Sequence, residues 1–220
     1  MAEIDIDAIA GPAWGGGVAP FATNTKKLGM WLFLLSDSLT FSSAILAYAY
    51  VRLASTNWPR PFEFYPAVVN ATFLTLILLS SSLTMVLAVA AAHRGEVRKA
   101  VMFIVFTAVG GAAFVALHLM EWFRLFAEGV TPWSNKFSVA GKPADPLFGG
   151  TFFGLTGLHM LHVSIGIIYL TIIAIGFGRR KFNADHVEVS GLYWHFVDLV
   201  WMFIFPMVYL MSVNLGTRGF

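Results

Sequence analysis

Apolar residues dominate five long stretches of the chain, and short polar, charged or Pro/Gly-punctuated runs separate them. Each stretch exceeds the roughly 20 residues that cross about 30 Å of hydrocarbon. They run from about Lys27 to Leu53, Ala67 to His93, Arg98 to Phe126, Gly149 to Phe177 and Gly191 to Leu215. The pattern predicts an all-α integral membrane protein, a bundle of five transmembrane helices, because only a helix satisfies every backbone group within one apolar segment. The helical domain covers residues 26–220. Residues 1–25 carry acidic residues and glycines where a signal peptide would have a basic patch and an apolar run, and are expected to form a flexible, uncleaved tail.

Polar residues inside the spans are few, so each one carries information. The stretch GTFFGLTGLHMLHVSIG, Gly150 to Gly166, places His159 and His162 three residues apart on one helical face among phenylalanines and leucines. Its four glycines allow close backbone approach, which is how helices pack in lipid. Asp37 interrupts the first span, Ser80, Ser81, Ser82 and Thr84 the second, His118 and Glu121 the third, and His195 and Asp198 the fifth. The serine and threonine hydroxyls are expected to bond helix carbonyls or neighbouring helices.

Composition excludes several classes. Of 220 residues, 58% are hydrophobic and 12% charged, and the mean hydropathy of +0.74 is outside the range of a water-soluble domain. A net charge of +2 spread over short runs gives no basic patch for nucleic acid. With no cysteine there is no disulfide, no iron–sulfur cluster and no thiolate-bound metal.

The basic residues set an expected orientation. Lys26, Lys27, Arg94, Arg98, Lys99, Arg179, Arg180 and Lys181 cluster on one side in short loops, while Arg52, Arg60, Arg124, Lys136, Lys142 and Arg218 scatter on the other. The bias favours the N-terminus in the cytoplasm and the C-terminus outside, with the loop Gly129 to Pro146 outside. Trp58, Trp122, Trp133 and Trp194 fall near the expected span ends, where aromatic belts sit. Arg179, Arg180 and Lys181 are candidates for an anionic lipid headgroup at the inner leaflet, a role that overlaps with a plain topology signal.

A rise of 1.5 Å per residue converts position into depth. Measured from the expected inner ends, Asp37 lies about 15 Å deep, Asp198 about 10 Å and His195 about 6 Å; from the outer end of the fourth span, His159 and His162 lie about 15 and 20 Å deep. These five are expected to form one proton-linked or buried polar network, with Asp37 within reach of His162. His118 and Glu121 lie about 30 Å from the inner end of their span and are expected as a separate outer-half pair. The three pairs at i, i+3 (His118 with Glu121, His159 with His162, His195 with Asp198) have metal-ligand spacing, but their spread in depth argues against one metal site. Asp37 is the leading functional candidate, since a mid-span carboxyl must be protonated, paired or wetted.

Four blocks then carry a resemblance: LFLLSDSLTF at 32–41, HLMEWF at 118–123, GGTFFGLTGLHMLHVSIGIIYL at 149–170 and YWHFVDLVW at 193–201. The chain resembles the third subunit of haem-copper respiratory oxidases, in a five-span form. The resemblance implies a non-catalytic accessory subunit of a proton-pumping terminal oxidase in a bacterial inner membrane. It implies that the chain has no cofactor of its own, that haem and copper sit in partner subunits, and that it packs on core subunit I in company with subunit II, within reach of a larger respiratory supercomplex. Its implied duties are to stabilise the core and support proton uptake, with bound phospholipid. Asp37 stands where mitochondrial-type members have Glu, and Glu121, His159, His162, His195 and Asp198 match positions of the family motif; Arg179 looks like a phospholipid-contacting base. Those members have two further spans before the first one here, which form part of their lipid cleft. Two other readings remain at this stage: the five-span protein that accompanies nitric oxide reductase, and a free-standing proton or ion transporter.

Overall fold

The computed structural model describes residues 25–134, 136–139 and 141–214; the expected tail lies outside the described residues except for Thr25. Five helices follow one another: α1 Thr25–Ala54, α2 Val69–His93, α3 Val97–Ala127, α4 Leu147–Gly178 and α5 Ala184–Val208, continued by a short 3-10 turn Leu210–Ser212. All five are long and apolar enough to cross a membrane. The face carrying Thr25, His93, Val97, Gly178 and Ala184 is here called the near face, and the opposite one the far face.

Helix ends follow local chemistry. After α2 and α3 the chain turns through Gly95 (φ 74°) and Gly129 (φ 84°). In each case the turn closes backbone bonds onto the last carbonyls of the helix, Glu96 N–H to Ala91 and Val130 N–H to Leu125. At the end of α4 the same turn places Arg180 at φ 56°, with the Lys181 N–H on the Gly176 carbonyl. Between α2 and α3 the Lys99 and Arg94 side chains hold the Glu96 carboxyl below its ordinary range. Asn183 caps α5 reciprocally with His186, so this helix begins at Ala184, ahead of the Gly191 start expected from hydropathy. Its first turns are polar because they face partners: Lys26 bonds His186 and Lys27 bonds Glu188 across to the start of α1.

The helices α2, α3, α4 and α5 form a ring in which α2 packs on α3 and α5, and α4 packs on α3 and α5; α1 lies outside against α4 and α5. Trp194 and Trp201 of α5 fill the centre, both fully buried. Trp194 was expected in an interfacial belt; the earlier start of α5 carries it into the core instead. Its indole lies against Gly111 of α3 and Gly166 of α4, where an added Cβ would collide with the ring. Each indole N–H finds an acceptor on α2: Trp194 donates to Ser81 Oγ at 3.1 Å and Trp201 to Thr75 Oγ1 at 3.0 Å.

The far face is closed by long-range ties. Residues Phe62–Glu63 pair in parallel with Val213–Asn214. Arg52, at the end of α1, donates to the carbonyls of Met207 and Met211 and to Ser212 Oγ. The Met207 carbonyl lies in the last turn of α5 and that of Met211 in the 3-10 turn after it, and a guanidinium there also meets the negative end of the helix dipole.

Two substitutions should move stability in opposite directions, read by thermal unfolding of the purified chain in detergent. Arg52→Met leaves the end of α5 uncapped and should cost about 1–3 kcal/mol. Arg180→Gly relieves a left-handed backbone conformation and should raise stability by up to about 1 kcal/mol; a loss would mean that the arginine side chain is itself structural.

Candidate functional site

Asp37 is buried on the side of α1 that faces α4, and its Oδ1 lies 3.3 Å from Nε2 of His162. The other ring nitrogen of His162 sits 2.8 Å from the carbonyl of Leu158. A carbonyl only accepts, so Nδ1 carries a hydrogen. The Nε2···Oδ1 contact therefore needs one further proton, held either by the carboxyl or by the ring. The contact ties α1 to α4. The edge of Phe41 covers the imidazole at a ring separation of 5.0 Å, and the Tyr193 hydroxyl donates to the His162 carbonyl at 2.9 Å, which fixes the position of α5 beside the pair. Spacing put Asp37 and His162 at matching depth; Tyr193 carried no signal beyond its place in the YWHFVD block.

His159, one turn away on the same face of α4, reaches into the ring of helices, with Phe41 of α1 at 6.4 Å. It stacks on Trp201 at 5.1 Å and meets the edge-on ring of Phe114 at 5.7 Å. His118 is held by the same two aromatics, stacked on Phe114 at 5.7 Å and edge-to-face with Trp201 at 5.5 Å. Both imidazoles are fully buried, and none of their ring nitrogens has a hydrogen-bond partner among the described residues. The expectation that His118 and Glu121 stand apart from His159 is therefore corrected for His118. The reason is length: α3 has 31 residues, about 46 Å, and overshoots the hydrocarbon. Counted from the far ends of their helices, His118 and His159 lie about 14 and 18 Å deep.

Glu121 continues this column toward the far face. Its Oε2 accepts from the Tyr209 hydroxyl at 2.8 Å and lies 3.6 Å from His118 Nδ1. Tyr209, beyond the end of α5, was not singled out from the sequence. His195 and Asp198 sit apart from the Asp37–His162 pair, on the side of α5 that meets α2. His195 Nδ1 bonds Ser82 Oγ at 2.7 Å. Asp198 is buried between the turns that carry Trp194 and Trp201, with both oxygens unbonded among the described residues. Its depth, like that of His195, is about 10 Å greater than hydropathy implied, because α5 starts earlier. The five residues expected as one network thus divide three ways: Asp37 with His162, His159 with His118, and His195 and Asp198 against α2. Arg179, Arg180 and Lys181 are exposed at the near face. Among the described residues no group of three or more His, Asp or Glu could hold a metal ion.

Comparison with known proteins places these residues in context. The family described as cytochrome c oxidase subunit III matches residues 5–213. Cytochrome c oxidase subunit 3 of Bacillus sp. (strain PS3) is 32% identical over 217 residues, covering 96% of this chain and 98% of that protein. Cytochrome bo(3) ubiquinol oxidase subunit 3 of Pseudomonas aeruginosa is 32% identical, covering 84% of each. Cytochrome c oxidase subunit 3 of Rhipicephalus sanguineus is also 32% identical, over 84% of this chain and 70% of its own length.

The Asp37–His162 contact predicts energetic coupling. In a double-mutant cycle of Asp37→Asn and His162→Gln, read by thermal unfolding in detergent, the coupling should be about 0.6 kcal/mol or more, a typical value for a polar contact between membrane helices. Strict additivity would make the contact incidental.

Proposed function

This chain belongs to the cytochrome c oxidase subunit III family and is an accessory subunit of a haem-copper oxidase, and on that premise we propose that it steadies the core of the complex and supports proton uptake through Asp37 and His162. The observation that carries this reading is the contact of those two side chains, a proton-holding pair between α1 and α4. It joins the peripheral helix α1 to α4 of the ring, at the edge of the bundle where a neighbouring subunit would pack. Catalysis, with its haem and copper, belongs to the partners, core subunit I and subunit II, and the chain itself contributes no redox centre.

The near face is cytoplasmic in this reading, with the N-terminus on that side and the C-terminus outside, in the inner membrane of a bacterium. The clustered cations of the near face support that orientation. So does the arrangement there of Lys26, Lys27, His93, His186 and Glu188, titratable groups tied across α1, α2 and α5 at the end from which protons would be taken. Arg179, Arg180 and Lys181 at the end of α4 serve as contacts for phospholipid headgroups of the same leaflet.

A mild-detergent pull-down of this chain, followed by an optical spectrum and a copper assay, tests the assembly. Haem and copper should co-purify; haem without copper would point to a different partner complex, and a colourless preparation that conducts protons in liposomes would overturn the accessory role. Within the purified complex, Asp37→Asn should leave assembly intact but slow turnover or shorten the working life of the enzyme. An unchanged rate and lifetime would reduce Asp37 to a packing group.

A further inference from the structure

In the far half of the bundle an indole, a phenol and a carboxylate stand in line. Tyr209 is fully buried just beyond α5, and its hydroxyl donates to Glu121 Oε2 at 2.8 Å. Its ring lies 6.1 Å from that of Trp201, which in turn packs on Phe114 and His118. On its other side Tyr209 meets Phe62 at 4.8 Å, and Phe62 and Phe148 lead on to Trp58. Trp58 takes the edge of Tyr48, on α1, at 5.6 Å. Aromatic rings therefore run in contact from the peripheral helix to the centre of the ring of helices.

These rings differ in what their donor atoms face. The Trp201 N–H donates to the Thr75 hydroxyl, the Tyr193 hydroxyl to a backbone carbonyl, and Tyr48 meets the Ser212 hydroxyl at 3.4 Å. None of those oxygens is a useful base. Tyr209 instead meets a carboxylate. Loss of one electron puts a positive charge on an indole or a phenol and makes its N–H or O–H strongly acidic; a base already at hydrogen-bond distance takes that proton without rearrangement. At Trp201, with only Thr75 beside it, the charge would stay on a ring buried away from water, where it is costly. If Tyr209 gives an electron to oxidised Trp201, the indole returns to neutrality and the phenol proton passes to Glu121. A buried cation and a carboxylate become two neutral groups, a phenoxyl radical and a carboxylic acid.

We propose that Tyr209 is a redox-active residue, with Trp201 as its relay and Glu121 as its proton acceptor, that takes up one-electron oxidising equivalents and holds them as a neutral tyrosyl radical. The oxidants are those formed as the partner core reduces oxygen, so their source rests on the accessory role proposed above. The path lies outside the electron flow of turnover and apart from the Asp37–His162 pair. It draws oxidative damage away from the core.

The test uses the full chain in detergent, in mildly alkaline buffer that keeps Glu121 ionised, with Tyr50→Phe and Tyr65→Phe in place; both tyrosines are 75% exposed, so their loss spares the core. An ultraviolet laser pulse ionises the indoles, and transient absorption with electron paramagnetic resonance follows the radicals. The tryptophan signal should decay into a tyrosyl signal, and more slowly in heavy water, because a proton moves with the electron. Tyr209→Phe should abolish the tyrosyl signal and prolong the tryptophan radical. Glu121→Gln, which leaves the phenol an acceptor but no base, should do the same, whereas Tyr193→Phe should leave the signal in place. A tyrosyl signal that survives Tyr209→Phe or Glu121→Gln, that vanishes only with Tyr193→Phe, or that forms at the same rate in heavy water would each overturn the proposal. The heavy-water comparison leaves the Tyr209–Glu121 pair unaltered, so it decides the matter even where a variant does not fold. Light supplies the oxidant, so this result and the co-purification of haem and copper stand or fall separately.

Discussion

Two indoles in the middle of a lipid-embedded bundle set the terms for the rest of this fold. An indole N–H that finds no acceptor in hydrocarbon costs several kcal/mol, so Trp194 and Trp201 can be central only if α2 offers oxygens at the right heights. Ser81 and Thr75 do so, two helical turns apart along α2. The bulk of the rings must also be admitted, and Gly111 and Gly166 recess the facing walls of α3 and α4. Lipid supplies no hydrophobic force between helices, so close fit and satisfied polar groups are what remain to hold the ring together. Trp201 then forms one wall of the cage around His118 and His159.

This arrangement separates two kinds of buried histidine. His118 and His159 are enclosed by aromatic faces inside the ring, and none of their ring nitrogens is hydrogen-bonded among the described residues. His162, one turn along the same helical face from His159, lies nearer the outer helix and meets a carboxyl. The second environment brings an imidazole nitrogen to 3.3 Å from a carboxyl oxygen of another helix; in the first, His118 approaches Glu121 of its own helix at 3.6 Å. Sequence spacing treats the two as a pair; both lie against Phe41, but their other neighbours differ.

Five spans were legible because each is an uninterrupted apolar run, and the family blocks were legible because they concentrate rare polar residues. The meeting of Asp37 and His162 followed from depth alone, since both lie in the interior of helices with well-marked ends. Depth failed for His118, where α3 extends beyond the hydrocarbon, and for Trp194, His195 and Asp198, where the polar first turns of α5 hid its start. Hydropathy registers what lipid tolerates; it does not register a polar turn that folds against Lys26 and Lys27. Tyr193, Tyr209 and Arg52 were missed for a related reason, because their partners are backbone groups or lie on distant elements.

The ties that close the far face join the beginning of the domain to its end. The Arg52 guanidinium and the backbone at Phe62 bond to residues 207–214, some 150 positions later. During synthesis, the first four helices therefore enter the bilayer with that guanidinium and those strand groups unmatched. The far face closes only when residues 207–214 arrive, and a chain stalled before α5 presents an open end. Membrane proteases and insertion chaperones could recognise that end as the mark of an unfinished molecule.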